Sequence, residues 1–262
     1  MGSEARKVEE GKIQIGDVEI NFIRVGTGDH PVLLLPELLG MARLSFATQI
    51  EDLDIEKLTL VAWDPPGYGK SWPPDRTFPD DFYQRDATWA HSLMKTLGYS
   101  KFSLIGMFDG AVTALFLAAM YPESIRKMIV LDAKSYVHLD EIKPLQATVV
   151  IDKVINYMKK VMTTFYGEDY IKQTMSRWLD TMFRLYHKQN GDLCKQELLK
   201  IKCPTLIFHI SDNSLLVPDQ PLHLKQNIAN STIYFFQSDT PDDLNTYLDE
   251  FNKRIAEFLL EK

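Results

Sequence analysis

The chain has 262 residues, 45% hydrophobic and 25% charged, with a formal net charge of −7, enough for a full core in one domain with an insertion or in two small ones. The acidic balance, with no clustered Lys/Arg run, excludes a nucleic-acid role. No apolar stretch approaches the roughly 18 residues of a membrane span, and the charged start MGSEARKVEEGK lacks the apolar segment of a signal peptide, so a cytoplasmic location is expected.

Lys12–Val25 (KIQIGDVEINFIRV) alternates apolar and polar residues around Gly16-Asp17, which predicts an antiparallel hairpin. The continuous apolar runs Pro31–Leu35 and Leu58–Trp63 read as strands buried on both faces. Each leads into a turn-rich loop, Pro36–Gly40 and Asp64–Ser71. The spacing of Phe82, Ala87, Ala90, Leu93 and Met94 predicts a helix over Asp80–Leu97, stopped at Gly98. Lys101–Ala119 (KFSLIGMFDGAVTALFLAA) is an apolar strand, a tight turn and an apolar helix. Its Gly106-Met107-Phe108-Asp109-Gly110 has the spacing of the G-x-S-x-G nucleophile elbow, which exposes the central side chain. Here that residue is Phe108, which has no nucleophilic atom.

Lys127–Leu131 is another buried strand. From Val137 to Lys202 only helical patterns occur, among them Ala147–Phe165 and Tyr170–Tyr186. The sheet resumes at Pro204–Ile210, then a helix near Gln220–Ile228, a strand at Thr232–Phe236 and a last helix from Asp242 to Leu260. Alternating helices and buried strands predict an α/β fold, a mostly parallel sheet with helices on both faces. Its core is expected to comprise residues 1–136 and 203–262, with 137–202 inserted as a helical cap.

Five stretches carry a resemblance: LLLPELLG at Leu33–Gly40, VAWDPPGYGKSWPPDR at Val61–Arg76, LIGMFDGAVTAL at Leu104–Leu115, YGEDYIKQTMSRWLD at Tyr166–Asp180 and CPTLIFHISDNSLLVP at Cys203–Pro218. Over nearly the whole chain these resemble the α/β-hydrolases, and within them the valacyclovir-hydrolase-like branch. The resemblance implies an α/β-hydrolase fold with nucleophile, acid and histidine in that chain order. The nucleophile position is Phe108. The acid position falls on Asn213 when counted from the strand and on Ser214 when counted back from Leu216-Val217-Pro218; Asp212 is nearby, and Asp132 is another acid site. The histidine position matches Pro241, and no histidine follows His223 in the chain.

Losing such a triad typically costs about a millionfold in kcat. The expected function is therefore a non-catalytic member of the fold that binds a small, largely apolar ligand between cap and core, one with an amine near Asp109. The alternatives are a hydrolase acting on (amino-acid) esters or amides through other residues, and a protein-interaction scaffold of unknown partner.

The resemblance also implies that Leu38 and Met107 line the pocket and that the backbone amides of Leu38 and Asp109 form the oxyanion hole. It implies too that Asp109 holds a substrate α-amino group, although an Asp at a helix N-terminus is equally accounted for by the helix dipole. As a nucleophile, Asp109 sits one residue off the exposed position. With Phe108, the expected ligand set is completed by Met158, Met162 and Trp178, from a segment whose methionines and aromatics (Phe165 among them) are mostly core but would also form an adaptable pocket wall. Glu37, where relatives carry glycine, is expected to face solvent. His209, Ser211 and Asp212 are too close on one strand end to form a triad, so His209 is expected as a packed histidine. His91 and His138 have no partner that the sequence names. Cys194 and Cys203 read as reduced thiols, and the absence of HExxH or CxxC spacing predicts no metal or cofactor.

Overall fold

The runs PVLLL and LTLVAW lack polar alternation because neither face of their strands meets water. The computed structural model describes residues 6–147, 156–211, 215–236 and 244–261. Its eight strands are β1 (Val8–Ile15), β2 (Val18–Val25), β3 (His30–Leu35), β4 (Leu58–Trp63), β5 (Phe102–Met107), β6 (Ile125–Leu131), β7 (Thr205–Ile210) and β8 (Ser231–Phe236). They form one sheet in the order β1-β2-β4-β3-β5-β6-β7-β8. The β1–β2 hairpin joins β4 antiparallel, and every later pairing is parallel. All six residues of both β4 and β5 are buried.

Helices cover both faces. On one side α3 (Phe82–Thr96) and α4 (Asp109–Met120) pack on Leu33, Leu35 and Leu104; on the other, α2 (Ala47–Asp52) and α10 (Leu244–Leu260) pack on Leu34, Ile105 and Ile129. The two layers follow from the period of two along each strand, which sends successive side chains to opposite faces.

Between β6 and β7 the described residues form α5 (Leu139–Ala147), α6 (Asn156–Tyr166), α7 (Glu168–Gln189) and the short α8 (Lys195–Leu198); α9 (Asp219–Asn227) follows β7. The single helix expected over Ala147–Phe165 is thus replaced by α5, which ends at Ala147, and α6, which begins at Asn156. Phe165, expected in the core, is 42% exposed, because it lies on the outer side of the last turn of α6. α7 runs longer than expected and stops where Asn190 turns left-handed (φ 55°), a common helix terminator. Its buried residues Tyr170, Ile171, Thr174, Met175, Trp178, Thr181, Met182 and Leu185 follow the i, i+3, i+4 spacing of one face.

The junction between β5 and α4 depends on two glycines. A Cβ on Gly106 would lie 2.6 Å from the Gly110 carbonyl oxygen, and one on Gly110 would lie 2.1 Å from that of Leu35. The neighbour in each case is backbone, which has no rotamer to move aside. Gly110→Ala is therefore expected to cost stability at or beyond the upper end of the ~1–3 kcal/mol usual for overpacking. Urea unfolding would measure it, and a loss below about 0.5 kcal/mol, the usual range of surface substitutions, would contradict the packing described.

Candidate functional site

Because β5 turns directly into α4, Phe108 is driven to φ 50° and ψ −111°, a strained conformation for a bulky side chain. This is the sharp elbow expected from the spacing, with a phenylalanine at its apex. The Phe108 ring packs against the apolar cluster of the α10 side, which includes Leu131 and Phe208. It leaves the other side of the elbow open.

Parallel register sets Met107 level with Leu131 and Leu131 level with Phe208. Phe108, Asp132 and His209 therefore stand at one level on three adjacent strand ends. Asp132 is also left-handed (φ 48°). Its Oδ1 accepts the Ile210 N–H at 3.1 Å and lies 2.7 Å from His209 Nδ1, with both side chains almost wholly buried. His209, expected simply as a packed histidine, has a carboxylate partner because the register brings the two strand ends together. His91 likewise meets Ser124 at 3.1 Å and stacks on Tyr121, and His138 Nδ1 accepts the Asp140 N–H at 3.2 Å.

On the open side lies a cavity of about 20 Å³, room for one water molecule. The loop after β3 contributes Glu37 and Leu38, α3 contributes Tyr83, α4 contributes Asp109 and Gly110, and Tyr68 and Arg76 complete the wall. Glu37, expected to face solvent, lines this cavity. The loop doubles back through a Gly40 N–H to Glu37 carbonyl bond of 2.9 Å and a left-handed Leu39 (φ 61°), and Ser45 Oγ donates to Glu37 Oε1 at 2.9 Å. Burial pushes the Glu37 carboxyl above its usual range; its backbone and Ser45 bonds act in the opposite sense, and the charge of Asp109 adds to the rise.

Asp109 is held from two sides. The Tyr83 hydroxyl and Trp178 Nε1, the latter at 2.9 Å, both donate to Oδ1. Burial, reinforced by the Asp109 charge, raises the Tyr83 phenol well above its ordinary value, so it remains a donor. Oδ2 has no hydrogen bond among the described residues. As the first residue of α4, Asp109 has an N–H without an intrahelical acceptor, at the positive end of the helix dipole. Beneath the cavity, Arg76 and Asp86 form an ion pair whose side chains are each 4% exposed.

Leu38 and Asp109 thus line the cavity as expected, and Trp178 reaches it through Asp109. Met107 does not: strand alternation turns it to the α10 side. Met162 is half-buried against the core on the α4 side. The Met158 side chain, Ser214 and Pro241 lie outside the described residues. Sequence patterns missed Tyr83, which no motif marks, and Lys134, which is only 8% exposed, its Nζ 4.8 Å from the Trp178 ring centre. Among the described residues no cluster of His, Cys, Asp and Glu could hold a metal ion, and no helix is long and apolar enough to cross a membrane.

Residues 30–183 match the family described as alpha/beta hydrolase fold. The chain is 37% identical to the mouse "Serine hydrolase BPHL" and 35% identical to the human one, in each case over 96% of this chain and 87% of that protein. Among solved structures, a serine hydrolase involved in carbazole degradation (CarC) superposes with a TM-score of 0.76 at 17% identity, covering 97% of this chain and 99% of that one. Such identity to proteins named as serine hydrolases overturns the expectation of a non-catalytic binding protein, which rested on Phe108 and the substituted triad positions: an aromatic ring at one position removes one route to hydrolysis but leaves the surrounding polar site. The sheet order, the elbow and the matched residues together make this chain a member of the alpha/beta hydrolase fold family.

Proposed function

We propose that the protein is a hydrolase of amine-bearing carboxylic esters or amides in which water, not a serine side chain, attacks the acyl carbon. The observation that carries this reading is the pair of unlike carboxyl groups beside the elbow: Glu37, pushed up by burial and by Asp109, and Asp109, held by two donors. Carboxyl groups in environments that separate their behaviour mark acid–base roles. The relatives named as serine hydrolases support hydrolysis as the reaction class.

In this mechanism Asp109 Oδ2 binds the substrate ammonium, with α7, which carries Trp178, as a lid over it. The Glu37 carboxylate takes a proton from the water as its oxygen bonds to the carbonyl carbon. The carbonyl electron pair moves to oxygen, and the resulting oxyanion is met by the N–H groups of Leu38 and Asp109. Collapse breaks the bond to the alcohol or amine, which leaves with the proton from Glu37. No covalent enzyme intermediate forms, and Phe108, packed on the α10 side, takes no part.

The test compares 4-aminobutyryl-4-nitroanilide with butyryl-4-nitroanilide, which lacks the amine. Wild-type protein is expected to prefer the former and to be insensitive to a serine-directed fluorophosphonate. Asp109→Asn keeps an acceptor for Tyr83 and Trp178 but loses the charge. It should lower kcat/KM for the amine substrate, relative to the butyryl substrate, about 10–100-fold, the range of a hydrogen bond to a charged group. Turnover no faster than a heat-denatured control for either compound would overturn this reading.

A further inference from the structure

Lys134 follows β6 by three residues, on a backbone that has little freedom. The Ser135 N–H donates to Gln220 Oε1 at 3.1 Å, and the Ser135 carbonyl accepts from Leu193 and Cys194, each at 3.1 Å. From this fixed base the side chain runs over the face of Trp178, and the residue as a whole is 8% exposed. Among the described residues its ammonium group has the Trp178 ring as neighbour and no carboxylate in an ion pair. The nearest acid in sequence, Asp132, is turned to His209 and Ile210. An aromatic face attracts a cation but neutralises no charge, which leaves the ammonium donors free for an anionic ligand.

The same indole that lies under Lys134 donates its Nε1–H to Asp109. One charge stands above the ring and the other beyond its edge, which puts them roughly 7 Å apart by the usual geometry of such contacts. A separation of that size can be spanned by a single ligand headgroup whose ammonium meets Asp109 and whose carboxylate meets Lys134.

We propose that Lys134 is an anion-recognition residue and that the substrate carries a free carboxylate next to its amine, as in an unmodified amino-acid backbone with the scissile ester or amide on its side chain. This rests on the hydrolase reading for the reaction, but the recognition of the headgroup does not require turnover. Lys134 selects the substrate and takes no part in proton transfer.

Binding to the full chain is measured by calorimetry with L-glutamine and with 4-aminobutyramide, which differ only by the carboxylate. Wild type is expected to bind glutamine about 10–100-fold more tightly, as for a charge-assisted contact. Lys134→Met should abolish that preference without weakening 4-aminobutyramide, and Lys134→Arg should keep much of it. Because methionine keeps the apolar packing on Trp178, the variant's Tm should stay close to that of wild type. In turnover, γ-L-glutamyl-4-nitroanilide should exceed 4-aminobutyryl-4-nitroanilide in kcat/KM by the same factor.

Equal binding of the two amides to wild type, or a preference that survives Lys134→Met, would overturn the proposal. Hydrolysis of the aminobutyryl anilide alongside equal binding would leave the hydrolase reading standing without it. A Lys134-dependent preference with neither anilide hydrolysed would do the reverse.

Discussion

Glu37→Gln is expected to lower kcat by roughly 10²–10⁴-fold, the range for loss of a general base, while the protein stays folded. Glutamine preserves the shape and can still accept from Ser45 Oγ, but it cannot take a proton from water. In wild type, kcat should rise with pH as Glu37 ionises, with a midpoint above the ordinary glutamate range because burial and Asp109 favour the neutral form. That limb should vanish in the variant.

Stability gives an independent readout. Since the folded-state pKa of Glu37 is raised, the folded protein holds this proton more tightly than the unfolded chain. Stability from this group therefore falls as pH rises from the unfolded value through the raised folded one, and the cost persists above it. Glu37→Gln should melt higher than wild type at pH 7–8 and equally at pH 4. Unchanged kcat with the pH limb retained would assign the base elsewhere, and a melting difference that is the same at both pH values would show that Glu37 does not bury its charge.

The largest loss of stability is expected below the cavity. Asp86→Ala should destabilise the protein by about 3–5 kcal/mol, the cost of leaving one partner of a buried ion pair unmatched. Arg76 is fixed by Asp86, by its 3.0 Å bond to the Pro66 carbonyl and by the rings of Tyr68 and Phe78. Replacing both members with apolar residues, as in Arg76→Met with Asp86→Leu, should cost less, because the charge that is left, Arg85 at 3.5 Å from Asp86, is 22% exposed. Urea unfolding of the two variants separates the cases. An Asp86→Ala variant within 1 kcal/mol of wild type, the typical range of exposed pairs, would mean that the ion pair is hydrated.

His209 and Glu37 show where reading along the chain stops. His209 was legible as the buried end of an apolar strand, yet its partner comes from another strand end with β6–β7 register as the only link. Glu37 was legible as an acid beside the oxyanion loop, but its direction was read as outward on the usual preference of carboxylates for water. The loop closure through Gly40 and Leu39 and the Ser45 hydroxyl outweigh that preference. Met107 was assigned to the pocket from its place beside the elbow, whereas the alternation of β5 carries it to the other face.

By itself, the sequence determined the strands in chain order, the hairpin, the helices on either side of the elbow strand, the elbow and the identity of its apex residue, Phe108. Those features are local: apolar periodicity, glycine spacing and helix stops act over a few residues. The tertiary structure alone decided the chemistry around the elbow. Tyr83 and Trp178 meet Asp109 across 26 and 69 residues of chain, and Lys134 meets Trp178 only because α7 packs over the end of β6. Such contacts are set by where whole elements come to rest, and a buried polar side chain then turns to whichever partner that packing supplies.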